Sequence, residues 1–204
     1  MNLKLYLAAI VAALLAAGAS AQTPPDLHKR LTDLKQIDIK PGINRIRNAE
    51  GDGRDAQVIS ADRQNGNAWG FGVYMVVMRP RWEEAKSDWA IVGIAEKDHN
   101  LSTQITDRPH TGEDDLKVVR FARGTLDGKP KTLLITAERT PAGSVPDPAP
   151  AKIRIFALRA VTDEETIGST PDVFEPVIEY QTTKLYSDAD DALLDELKLP
   201  LPSF

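Results

Sequence analysis

Apolar and polar positions alternate over much of this chain, and a period of two predicts strands. The clearest stretch is Lys131–Thr140, where Leu133, Ile135 and Ala137 face one way and Thr132, Thr136 and Glu138 the other. Leu116–Arg123 supplies a first arm, and Asp127-Gly128 is a favoured turn pair. Together they predict a β-hairpin whose loop, Gly124–Pro130, is somewhat longer than two residues. Trp69–Met78 is apolar on both faces and predicts a central strand buried on both sides. Gly70 and Gly72 share one of its faces, which leaves room for a bulky neighbour or a close backbone. Ala56–Ser60, Trp89–Ala95, Lys152–Val161 and Phe174–Tyr186 complete the strand candidates.

Helical spacing is confined to the two ends. Thr23 suits a cap, Pro24 the first helical position and Asp26 the positive helix end, and Leu27, Leu31 and Leu34 then recur at helical intervals. Near the other end Ser187 suits a cap, Asp188, Asp190 and Asp191 fall in the first turn, and Ala189, Leu193 and Leu197 share a face. Asn48–Asp55 reads as a polar loop, and Pro141–Pro150, with four prolines, as a stiff surface loop. Strands do not alternate regularly with helices, so a parallel α/β sheet is disfavoured. The pattern predicts a mainly β fold, an antiparallel β-sandwich or partly open barrel with a short N-terminal and a short C-terminal helix.

The first 21 residues change the picture. Lys4, the unbroken apolar run Leu5–Ala17 and the small-residue exit Ala19-Ser20-Ala21 together read as a secretory signal peptide. The run is too short to span a hydrocarbon layer, which needs about 20 residues. The expected mature chain is 22–204, one β-rich domain of 183 residues (204 − 21). Without Lys4 it carries 24 basic and 30 acidic side chains, net −6, which disfavours nucleic acid as a partner. There is no cysteine, so disulfides, thiolate catalysis, thiolate-bound zinc and lipid attachment through an N-terminal cysteine are excluded. A cysteine-free exported chain points to a bacterial envelope, with the periplasm favoured over the extracellular medium.

The chain contains no Gly-x-Ser-x-Gly, Ser-x-x-Lys, His-Glu-x-x-His, phosphate-binding loop or dinucleotide fingerprint. Two polar stretches remain. Arg79 and Arg81 flank Trp82 in a polar connection, where an exposed tryptophan beside arginines could anchor an envelope protein or stack on a sugar ring. Trp69 and Trp89, at the ends of apolar runs, are expected in or near the core. The stretch 96–115 reads first as an acidic loop. Its Asp98, His99, His110 and Glu113 are also the ligand types a divalent metal accepts without sulfur. Glu50–Asp55 departs from the calcium-loop pattern and reads as a turn. The resulting expectation is an exported, non-catalytic binding or accessory module of the envelope without a cofactor. A small metal-dependent enzyme built on 96–115 is the alternative, and sugar binding through Trp82 a weaker one.

Overall fold

A computed structural model describes residues 24, 26–63, 70–81, 88–96, 100–107, 115–162 and 170–201. The fold is mainly β, with two sheets and two short helices in a sandwich-like arrangement. One sheet has seven strands in the order β1 (Leu31–Ile37), β9 (Lys117–Leu126), β10 (Lys129–Arg139), β11 (Ala149–Ala160), β12 (Asp172–Tyr186), β6 (Gly93–Ala95) and β7 (Leu101–Ser102). The other runs β2 (Gly42–Ile46), β3 (Ala56–Arg63), β4 (Phe71–Met78) and β5 (Ala90–Ile91), with β8 (Ile105–Thr106) also paired to β4. Neighbours are antiparallel apart from β6 and β12, which run parallel. Helices α1 (Leu27–Arg30) and α2 (Ala189–Leu197) lie near the two ends of the chain. Among the described residues, no helix is long and apolar enough to cross a membrane.

The seven-stranded sheet is the middle of three layers. Val118, Ala122, Leu133, Ile135, Ile153 and Ile155 pack with Leu27 of α1 and with Ala189, Ala192, Leu193 and Leu197 of α2. The opposite face presents Val119, Phe121, Leu134, Phe156 and Phe174 to Ile46, Val58, Val76 and Met78 of the second sheet. Each such side chain contributes about 1.5–3 kcal/mol on leaving water. The rings of Phe121 and Phe174 meet edge-on at 6.3 Å across this second core.

This layering corrects the reading of Trp69–Met78. In β4 only Gly72, Val76 and Met78 are buried, and Val73, Met75 and Val77 are partly exposed on the outer face. The strands that feed both cores belong to the other sheet: β9, β10, β11 and β12 each supply residues to both. The run Trp89–Ala95 also divides. Ala90–Ile91 pairs with β4 in one sheet, and Gly93–Ala95 pairs with β12 in the other, so the chain turns the sandwich corner at Val92.

The hairpin loop is two residues, Asp127 and Gly128, both at positive φ (48° and 78°), as a type I′ turn requires. Pro130 is therefore inside β10, opposite Thr125. Next to a two-residue turn that position does not bond across the hairpin, and β11 begins pairing only at Leu133, so no ladder bond is lost. Pro150 likewise falls inside β11, opposite Leu185.

The N-terminal helix is shorter than the leucine spacing implies. It ends at Arg30, and Leu31 and Leu34 belong to β1. Between Thr32 and Lys35 the pairing with β9 slips by one residue at a β-bulge, where Asp33 takes φ 53°. The extra residue turns a spacing of two into a spacing of three, so Leu31 and Leu34 pack on the same core. Helix α2 starts one residue later than expected. Asp188 is its cap, accepting from the backbone N–H of Asp190, and left-handed Lys198 closes it. Strand β2 had no counterpart in the sequence pattern, because Gly42–Ile46 has only Ile43 and Ile46 as apolar positions.

Candidate functional site

Of the residues singled out from sequence, Arg79 and Arg81 are described. Trp82, Asp98, His99, His110 and Glu113 lie outside the described residues. Arg81 is engaged, donating to Glu50 at 2.8 Å and Asp52 at 3.1 Å. Arg54 donates to Asp52 at 2.6 Å, to both carboxylate oxygens of Asp172 at 2.7 Å, and to the Arg79 carbonyl at 2.8 Å. The carboxylates of 50–55 thus serve arginines and hold the loop before β3 against the start of β12. The Arg79 guanidinium sits 5.4 Å from the centre of the Trp89 ring. Trp89 is 44% exposed, which corrects its expected place in the core. Arg79 and Trp89 border a hollow of about 550 Å³ with Arg45, Arg54 and Gln57.

The larger hollow lies at the opposite edge of the strands. β1 stops at Ile37, opposite Phe121, while β9 begins at Lys117, so the first residues of β9 have no β1 neighbour. A cleft of about 660 Å³ opens there, reaching from the end of β3 and start of β4 round to α2. Ile37, Ile39, Phe71, Val119 and Phe121 supply apolar wall, and Ser60, Asp62, Tyr74, Asp107, Arg120 and Asp190 supply polar groups. Its size and composition match those of small-molecule sites, which are mainly apolar with a few convergent polar groups.

Gly72 and Asp107 anchor one wall. The Gly72 N–H donates to Asp107 Oδ1 at 2.6 Å, and the Asp107 N–H returns to the Gly72 carbonyl at 3.3 Å. The Tyr74 hydroxyl donates to Asp107 Oδ2 at 3.3 Å. Burial, reinforced by the Asp107 charge, pushes the Tyr74 phenol far up, so it remains a neutral donor. A Cβ on Gly72 would stand 2.6 Å from Asp107 Oδ2, so the glycine lets the carboxylate close on the strand. The room expected beside Gly70 and Gly72 is taken at Gly72 by this carboxylate.

The other wall is charged and shielded. Arg120 donates through one nitrogen to both oxygens of Asp190, and the two side chains are 13% and 11% exposed. Burial pushes the Asp190 carboxyl up to about 6 against the pull of Arg120, with Asp115 and Asp188 adding to the rise. An acid whose folded pKa exceeds its unfolded value binds its proton more tightly when folded. Stability from this group therefore rises as pH falls through about 6 and flattens below the unfolded value. Wild-type protein is expected to be about 1 kcal/mol more stable at pH 5 than at pH 7 on this account, and Asp190→Asn to remove that gain. Urea midpoints of both proteins at the two pH values measure it, and parallel pH dependences would contradict it. Carboxylates held below their ordinary range by a partner, such as Asp52 beside Arg54, act only below this window.

Asp115, Asp188 and Asp190 can bring one oxygen each within 4.8 Å of one another. Asp188 accepts from the backbone N–H groups of Asp115 and Asp190, and Asp190 is held by Arg120, so these carboxylates already have structural partners. No sequence motif pointed to the cleft. Asp107, Arg120 and Asp190 come from separate stretches and meet only through the pairing of β8 with β4 and the packing of α2 beside β9.

Fold and cleft together define a class: a two-sheet β-sandwich, covered by a helix on its larger sheet, with a partly apolar cleft at one strand edge. No protein-family model and no curated protein matches the chain. Among solved structures, the crystal structure of CarG superposes with a TM-score of 0.62 at 14% identity, covering 79% of this chain and 94% of CarG. At that identity the likeness is one of fold.

Proposed function

We propose that this chain is a non-catalytic binding module of the bacterial cell envelope, exported by its N-terminal leader, and that it takes a small organic molecule in the cleft beside β1 and β9. The observation that carries this reading is the cleft itself: about 660 Å³, with apolar walls, the buried Asp107 and the partly buried groups Tyr74, Arg120 and Asp190. The leader at residues 1–21 supports export, and the absence of cysteine from an exported chain supports a bacterial envelope. A thermal-shift screen of a small-molecule library on mature protein tests the reading, because a ligand of the folded state raises its melting temperature. Compounds that stabilise wild type are expected to lose their effect in Ile39→Trp, which narrows the cleft, and to keep it in Trp89→Ala. Hits that persist in Ile39→Trp and vanish in Trp89→Ala would overturn the reading.

That last outcome would favour a second reading, contact with an envelope protein at Arg79 and Trp89. Its support is the exposed indole under a guanidinium, a combination enriched where proteins meet.

A further inference from the structure

We infer that the cleft selects an organic cation, an ammonium or onium group carried on an apolar body; this rests on the cleft being the binding site. Among the described residues, four carboxylates border it, Asp62, Asp107, Asp115 and Asp190, against two guanidiniums, Arg63 and Arg120. Arg120 is taken up by Asp190, and Arg63 lies over the Phe71 ring at 5.4 Å. The Asp62 side chain, at the exposed end of β3, makes no hydrogen bond or ion pair with any described residue and adds its negative charge at the mouth of the cleft. Apolar walls strengthen this field, because they lower the local dielectric and focus it into the opening. The same walls include the rings of Tyr74 and Phe121, aromatic surfaces of the kind that attract cations. A bare metal ion would gain nothing from the apolar walls, and two of the three carboxylates nearest to a metal-like arrangement are held by donors. An anion would reach Arg120 only by displacing Asp190.

Tetraphenylphosphonium and tetraphenylborate have nearly the same shape and opposite charge, so they isolate the sign. Calorimetric titration of the mature protein at low ionic strength is expected to give at least about tenfold tighter binding of the cation. Asp62→Lys is expected to weaken the cation about tenfold and to strengthen the anion. Asp191→Lys makes the same change in net charge on an exposed position of α2 outside the cleft, and is expected to leave both affinities unchanged. Equal or tighter binding of the borate would overturn the inference, as would a response to Asp191→Lys as large as that to Asp62→Lys, which marks attraction to net charge alone. Anion binding abolished by Ile39→Trp would refute the cation and leave the cleft as the binding site. Library hits indifferent to Ile39→Trp would remove the site itself.

Discussion

Arg54→Ala is expected to cost about 4 kcal/mol. Arg54 lies in the loop before β3 of the outer sheet and reaches Asp172 at the start of β12 in the central sheet, so it staples the layers at one end. The two side chains are 14% and 3% exposed. Burial works against the charge on Arg54, but Asp172 and Asp52 outweigh it and hold the guanidinium protonated at any working pH. Truncating Arg54 leaves the Asp172 carboxylate buried without its partner, and that penalty, more than the lost attraction, sets the size of the effect. Arg54→Lys is expected to recover only part of the loss, because an ammonium cannot make the paired contact. Arg54→Met with Asp172→Leu removes both charges and is expected to recover most of it. Urea or guanidinium unfolding measures all three, and a loss below about 1 kcal/mol for Arg54→Ala would show that the staple is solvated.

Gly72→Ala is expected to cost about 3 kcal/mol, although alanine ordinarily suits a strand at least as well as glycine. The new methyl would meet Asp107 Oδ2 at 2.6 Å and the Tyr74 hydroxyl at 3.0 Å. Either Asp107 withdraws and gives up its bond to the Gly72 N–H, or β4 moves away from β8. A charge-assisted bond of that kind contributes about 1.5–3 kcal/mol, and overpacking adds about 1–3. The two effects share a cause, so Gly72→Ala with Asp107→Ala should cost clearly less than the sum of the single changes. Strict additivity in denaturation experiments would contradict the close approach.

The strand pattern of the central layer was legible because β10 and β11 pair along their length and alternate cleanly between two cores. Where reading stopped short, a local rule was overridden by pairing. The leucines at 27, 31 and 34 imitate a helix because a bulge at Asp33 lengthens the spacing by one residue. WGFGVYMVVM imitates a doubly buried strand because the outer face of β4 carries Val73, Met75 and Val77 beside the exposed Ile59 and Ile43. The glycine at 72 did signal a close approach, but no spacing names Asp107 as the neighbour, since 35 residues separate the pair. The same limit applies to Arg120 and Asp190, which lie 70 residues apart. Among the described residues, the ring beside Arg79 is that of Trp89, and Trp82 lies outside them.

The central claim is that the cleft at the end of β1 is where this protein binds its ligand, and amide chemical shifts test it most directly. The strongest compound from the library screen should move the signals of Gly70, Gly72, Val119 and Phe121, and leave those of Arg45, Gln57, Arg79 and Trp89 in place. Movement confined to the second group would contradict the account and put the binding surface at the Arg79–Trp89 end.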